Sequence, residues 1–171
     1  ESSKAKWISN NDIKFETNAF YEDDGQKNME VIEAYIQNNN TSWSEFPIFS
    51  WARSLGEGWY IPAKEEALTI WKNMNGGSNT YSKRTFKAFD KKQRGHGGDP
   101  LVDTRFYIGS KQPFYWYTST ETDGGGVLAV QFGNDFKSQV TIGFNSTFKA
   151  FPVNKSPLTM NLFRSRAIHK F

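Results

Sequence analysis

The segment "GEGWYIPAKEEALTIW", residues 56–71, contains a change from extended chain to helix around which the rest of the fold is predicted. The residue before a proline is pushed toward extended geometry and proline itself is tolerated at a helix start, so Pro62 separates the two elements. Glu65 and Glu66 then occupy the first helical turn, where the helix dipole favours negative charge. The apolar positions that follow share one helical face: Ala67, Ile70, Trp71 and Met74. The segment predicts a strand that ends at Pro62 and a helix directly after it, which the glycine pair 76–77 ends.

Further helices are predicted on both sides of this segment. The first ends at the asparagines 38–40, and its apolar residues recur at helical spacing: Met29, Ile32, Tyr35 and Ile36. The second is expected to be capped by Thr41 or Ser42 and to stop at Gly56. Its apolar positions are Phe46, Phe49, Trp51, Ala52 and Leu55. A short basic helix on the surface is expected within residues 80–95.

The chain after Pro100 has the pattern of short strands. The runs "FYIGS", "FYWYTSTE", "GVLAVQF", "QVTIGF", "TFKAF" and "LFRSRAIHKF" are rich in β-prone residues and are separated by Gly, Asn, Asp and Pro. No composition shift marks a linker. Residues 1–171 are therefore predicted to form a single α+β domain, with two or three helices packed on antiparallel sheets and a C-terminal half that is mostly β.

The composition excludes several classes of site. The chain has 15 phenylalanines, seven tyrosines and six tryptophans, so aromatic packing should dominate the core. It has no cysteine, which excludes disulfides, thiolate metal sites and cysteine nucleophiles. No apolar run is long enough for a membrane helix, so no membrane insertion is expected. The chain begins at Glu1 and not at a methionine, from which we expect that a leader or an upstream region has been removed.

Three motifs resemble a known group of proteins. "SLGEGWYIPAKEEALTIW", "YWYTSTE" at 115–121 and "RSRAIHKF" at 164–171 resemble, in the same order, the bacterial C-type-lectin-like domains of the DUF1566 and FISUMP type. The resemblance covers residues 43–171 and implies a C-type-lectin-like fold. The first motif also resembles the formylglycine-generating enzymes, whose activity depends on cysteines that this chain lacks. The Glu-Pro-Asn and Trp-Asn-Asp triplets of calcium-dependent lectins are missing as well.

The resemblance implies that the ligand face is built from the loops and strands of residues 121–149. The candidate ligand-binding residues there are Glu121, Asp123, Gln131, Asn134, Asp135, Asn145 and Lys149. The carboxylate and amide oxygens among them are ligands that calcium accepts. Ordinary solvated turns have the same composition. We therefore predict no metal site and no cofactor, and keep calcium as an alternative.

Other candidate groups have simpler explanations. Glu65 and Glu66 point about 100° apart on a helix, which does not suit a catalytic acid pair. His96 lies in a glycine loop near two aspartates, Asp99 and Asp103, with too few ligands for a metal site. The basic run 83–94 carries Phe86 and Phe89 and is the best nucleic-acid candidate, but such runs are more often solvated helix faces. His169 is predicted to be a packed or edge histidine, and Trp59, Trp71 and Trp116 to build the core.

These observations predict a non-enzymatic binding module of an exported or cell-surface bacterial protein. We expect it to recognise a glycan or protein ligand through its C-terminal loops, and not to bind nucleic acid. Two alternatives stay open. The first alternative is a structural or adhesion domain of a larger surface protein. The second is a divergent enzyme of the formylglycine-generating fold.

Overall fold

The described part of the chain combines helices, mostly in its first half, with strands, mostly in its second. The computed structural model describes residues 2–3, 7–9, 16–74, 76–77, 83–97, 114–122, 126–132, 150–154 and 163–169. The helices are α1 (Gly25–Asn38), α2 (Pro47–Ser54), α3 (Lys64–Met74) and α4 (Lys83–Gly95), with a 3₁₀ turn at Trp43–Glu45. The strands are β1 (Ser2–Ser3), β2 (Trp59–Tyr60), β3 (Phe114–Thr122), β4 (Gly126–Phe132), β5 (Ala150–Asn154), β6 (Phe163–Arg166) and β7 (Ile168–His169). This is the mixed α+β class that the sequence predicts.

Helix α1 starts four residues before the first apolar position on which its prediction rested. Asp24 is its N-cap, and the Asp24 carboxylate accepts the Lys27 backbone N–H at 2.9 Å. The apolar periodicity could not reveal this start, because the first turn is capped by a polar side chain. The predicted buried face is confirmed, since Ile32 and Ile36 are buried.

Helix α2 starts at Pro47 and not directly after Thr41 or Ser42. Proline is favoured at the first helical position, because its missing N–H would have no partner there. The Ser42 hydroxyl contacts the Ser44 hydroxyl at 2.6 Å and caps nothing. The predicted end is confirmed, because Gly56 follows the helix with φ +123, a conformation that favours glycine.

The strand-proline-helix segment, residues 59–74, connects the helical half of the chain to the larger sheet. Strand β2 ends at Tyr60 and α3 begins at Lys64. Between them, the Pro62 carbonyl accepts the Ser119 N–H of β3 at 2.8 Å. The Lys64 N–H donates to the Thr120 hydroxyl at 3.1 Å. The start of α3 is thus fixed directly to the middle strand of the sheet.

The strands form two sheets. The larger has the order β1-β6-β3-β4-β5, and the smaller pairs β2 with β7. The β1–β6, β3–β4, β4–β5 and β2–β7 pairs are antiparallel, but β3 and β6 are parallel, with Tyr115 opposite Phe163. The prediction of antiparallel sheets is wrong for that pair. The runs at 106–110 and 139–144 lie outside the described residues.

Aromatic rings pack edge to face in the core, as the composition predicts. Trp7, Phe46 and Phe49 are fully buried, and the Trp7 ring centroid lies 4.8 Å from that of Phe49 and 6.1 Å from that of Phe46. The Trp7 indole N–H donates to the Thr118 carbonyl at 3.0 Å. This bond anchors the N-terminal segment on β3.

Two of the three predicted core tryptophans are in place. Trp116 is buried in β3, and the Arg166 guanidinium lies over its ring at 5.1 Å. Trp59 is half-buried and packs against the core cluster. The Trp71 backbone belongs to α3, and its side chain lies outside the described part.

Candidate functional site

An open groove lies where the first turns of α1 meet the end of α2 and strand β2. It encloses about 390 Å³. Its lining combines an aromatic wall with several polar side chains: Gln26, Met29, Glu30, Glu33, Arg53, Gly56, Glu57, Gly58, Trp59 and Tyr60. We call it the Trp59 groove. None of its residues belongs to the candidate set 121–149 that the sequence analysis selected.

The aromatic wall of the groove is held in place by the smaller sheet. Trp59 pairs with His169 across β2 and β7, and the two rings meet edge to face with centroids 5.4 Å apart. Gly58 has φ +80, and a Cβ built there would lie 2.9 Å from the His169 Nε2 atom. Only glycine therefore fits before Trp59. His169 is a packed histidine in an edge strand, as predicted.

The carboxylates of the groove differ in how they are neutralised. Glu33 accepts a hydrogen bond from the Arg53 guanidinium at 2.9 Å, and Glu30 accepts one from the Lys27 ammonium at 2.8 Å. Glu57 is exposed and forms no ion pair with any residue that the structure describes. Its two oxygens are therefore available as acceptors for a ligand in the groove.

Arg53 is oriented by two contacts at once. Its guanidinium lies 4.3 Å from the centroid of the Trp43 ring, a cation–π contact, and donates to Glu33. A planar guanidinium held from two sides loses little further freedom when it donates to a ligand. The groove thus offers fixed donors as well as acceptors.

Beneath the groove, Glu66 joins the N-termini of two helices. One carboxylate oxygen accepts the Gly25 N–H of α1 at 2.9 Å and the Ala63 N–H before α3 at 2.8 Å. The other accepts the Tyr60 hydroxyl at 2.8 Å. Burial, and then the hydrogen bond to Glu66, raise the pKa of the Tyr60 hydroxyl well above that of an exposed tyrosine. Tyr60 therefore keeps its proton to a higher pH than an exposed tyrosine, and its hydroxyl donates that proton's hydrogen bond to Glu66.

From the sequence, Glu66 is expected only to favour the dipole of its own helix. The bond to Ala63 is half of a capping box, which a glutamate three residues after the cap position signals. The link to Gly25 was not predictable, because it crosses 41 residues of sequence. Glu65, its neighbour, is exposed and pairs with Lys64 at 3.1 Å. The two glutamates have different structural surroundings, and no paired acid site forms.

Gly25 permits a very close approach of α1 to the strand-proline-helix segment. A Cβ at this position would lie 2.3 Å from the Ile61 carbonyl oxygen and 2.8 Å from the Ala63 nitrogen. Both neighbours are backbone atoms, so neither can rotate away. This approach is what lets one carboxylate reach both helix starts.

Glu121, the first of the predicted ligand-binding residues, is part of the interior. It is only 3 % exposed, and one of its oxygens accepts the backbone N–H groups of Thr17 at 2.8 Å and Ala19 at 3.3 Å. Glu121 thus faces the interior and not a solvent-facing ligand surface, and its ligand-binding role stays a prediction. Its carboxylate is held inside because the N-terminal segment supplies backbone donors that replace water.

The remaining predicted ligand-binding residues lie outside the described part, either entirely or in their side chains. The Gln131 backbone pairs with Tyr115 in the β3–β4 ladder, and its side chain lies outside the described part. The same is true of the entire residues Asp123, Asn134, Asp135, Asn145 and Lys149, and of the metal candidates Asp99 and Asp103. His96 is exposed just after α4.

Metal-ligand clusters and membrane-spanning helices are both missing from the described residues. No group of three or more histidine, aspartate and glutamate side chains in them is placed to hold a metal ion. None of their helices is both long enough and apolar enough to cross a membrane.

The groove has the chemistry of a site for a polar ligand with an apolar face. Trp59 and Met29 supply apolar surface, Glu57 supplies acceptors, and Arg53 supplies donors. A concave site with an apolar wall and a few polar groups is the usual form of a small-ligand site. Comparison of the chain with protein-family models, curated proteins and solved structures found no match.

Proposed function

We propose that the chain is a non-enzymatic binding module of an exported or cell-surface bacterial protein, and that the Trp59 groove holds part of a glycan. The observation that carries this is the half-buried Trp59 beside the exposed Glu57 carboxylate, which pairs with no cation of the described residues, in an open groove. The three motifs shared with C-type-lectin-like domains support the fold and the location outside the cell.

Glycans suit this groove because a sugar ring has one face of C–H groups and a rim of hydroxyls. The C–H face packs against an aromatic ring, which gives large contact area at low entropic cost. A hydroxyl that donates to a carboxylate forms a charge-assisted bond, about twice as strong as one between neutral groups. Trp59 and Glu57 supply these two kinds of contact side by side.

The C-terminal loops stay a second predicted ligand face. Asp123, Asn134, Asp135 and Asn145 carry the oxygen atoms that sugar or calcium binding there would use. The two faces make different predictions for the same experiment, because they use different residues and only the loops would need calcium.

A glycan array, probed with and without calcium, tests the proposal. Glu57→Gln should lower the affinity for any glycan found by about tenfold or more, since one or two charge-assisted bonds are lost. Glu65→Gln is the matched control: it changes the same charge on an exposed residue outside the groove and should leave affinity unchanged.

The possible results separate the candidate functions. Glycan binding that survives Glu57→Gln but is lost with Asp135→Asn or on removal of calcium would contradict the groove and favour the loops. Binding of no glycan at either calcium level would reject the glycan and favour a protein ligand or a structural role in a larger surface protein.

A further inference from the structure

We propose that the exposed face of α4 binds an anionic polysaccharide. This site lies outside the Trp59 groove. It uses the basic stripe, which we define as Arg84, Lys87, Lys91 and Lys92, together with Arg94.

The stripe is a continuous row on the helix. Residues three or four apart lie on the same side of a helix, so Arg84, Lys87 and Lys91 follow one another along α4. With a rise of about 1.5 Å per residue, the row from Arg84 to Arg94 is about 15 Å long. All of these cations are exposed.

The opposite side of α4 faces the protein, which keeps the stripe turned outward. Asp90 is buried and Phe89 and Gln93 are half-buried. Asp90 also pairs with Arg94 at 2.6 Å across one helical turn. That pair neutralises one end of the row and holds its arginine in position.

Most of the positive charge in the stripe has no acidic partner among the described residues. Arg84, Lys87, Lys91 and Lys92 form no ion pair with any residue that the structure describes. Like charges one turn apart repel each other and weaken a helix slightly. A polyanion lying along the row would remove this repulsion and release its own bound counterions, which is a strong driving force at low salt.

The nature of the face favours a polysaccharide over a membrane or a nucleic acid. A helix that lies in a membrane surface needs exposed apolar side chains to insert, and Phe89, the aromatic residue whose side chain is described on α4, is turned inward. Single-stranded nucleic acid binding uses aromatic side chains between the cations, on which bases stack. A sulfated or carboxylated polysaccharide needs only the row of charges. Its presence outside the cell fits the proposed function, on which this choice of polyanion rests.

The test uses heparin as the probe, with the intact chain, at low and at physiological salt. If about four cations are engaged, the logarithm of the affinity should fall with the logarithm of salt with a slope of about −3. Lys91→Glu should weaken binding about fivefold to tenfold at low salt. Lys27→Glu is the control, because it makes the same charge change at an exposed lysine of α1, and it should have little effect.

Each contrary result has a definite meaning. Equal loss with Lys27→Glu would show that net charge and not the stripe binds heparin, and would overturn the proposal. So would an absence of heparin binding at low salt, or tighter binding of duplex DNA or of anionic phospholipid vesicles than of heparin. Glu57→Gln should keep heparin binding, so failure of the groove proposal is seen separately from failure of this one.

Discussion

Replacing Glu66 by alanine should destabilise the protein far more than replacing the adjacent Glu65. Glu66→Ala removes the acceptor of three hydrogen bonds, two from backbone N–H groups and one from the Tyr60 hydroxyl. Hydrogen bonds to a charged group contribute about 1.5–3 kcal/mol each, and water can rehydrate part of the half-buried site. We therefore expect a loss of about 3 kcal/mol, a large part of the 5–15 kcal/mol that is typical of a domain.

Urea denaturation measures this loss. With a slope of about 2 kcal/mol per molar urea, a loss of about 3 kcal/mol lowers the midpoint by about 1.5 M. Glu66→Gln keeps one acceptor oxygen for the two N–H groups and should lose only about 1 kcal/mol. Glu65→Ala is the control, because its exposed ion pair with Lys64 contributes at most about 0.5 kcal/mol.

A Glu66→Ala midpoint equal to that of Glu65→Ala would show that Glu66 does not hold the two helix starts together. A double-mutant cycle with Tyr60→Phe adds a finer check. Since Tyr60 donates to Glu66 at 2.8 Å, the two substitutions together should cost less than the sum of their separate effects. If the two losses of stability were strictly additive, the hydrogen bond between the Tyr60 hydroxyl and the Glu66 carboxylate would contribute nothing to stability.

Three further predictions concern stability. Gly25→Ala should cost at least about 3 kcal/mol in the same urea assay, since its Cβ would lie 2.3 Å from a backbone oxygen, and a midpoint near that of the wild type would contradict the close approach. Glu121→Gln should lower the free energy of unfolding by about 1–2 kcal/mol, because a neutral amide accepts the Thr17 N–H more weakly, and glycan binding should not change. Loss of glycan binding in a variant that stays folded would support the predicted ligand-binding role of Glu121. Burial raises the pKa of the Tyr117 and Tyr60 hydroxyls above the ordinary value of about 10. Because the unfolded state releases these protons at lower pH than the folded state, the free energy of unfolding should fall as pH rises above about 10. Tyr117→Phe should flatten that fall in urea titrations at several pH values, and an unchanged slope would contradict it.

Local sequence patterns predict where helices and strands occur better than they predict which strands pair with each other. The proline at 62 and the acidic turn after it were sufficient for the start of α3, because these preferences act within a few residues. The parallel pairing of β3 with β6 was not predictable. It joins strands about 50 residues apart, and nothing in either strand specifies the direction of its neighbour.

The candidate site shows the same limit. Glu121 is a candidate because the resemblance implies a ligand face over residues 121–149 and its carboxylate supplies oxygen ligands. The structure instead surrounds it with backbone donors from Thr17, 104 residues away, which no local pattern could indicate. The Trp59 groove was missed because its residues look ordinary one by one. Arg53 and Glu33 belong to different helices, and only the tertiary fold brings them within ion-pair distance.

The topology of the last described strands has a consequence for folding during synthesis. Residues 163–169 supply β6 to the larger sheet and β7 to the smaller one. Trp59 therefore has no strand partner until about 110 more residues have been made. Contacts so distant in sequence form slowly, and they leave unpaired strand edges exposed in the meantime. A nascent chain that has not reached residue 163 should therefore carry helices α1–α4 while β2 and one edge of β3 still lack the partners that β7 and β6 supply.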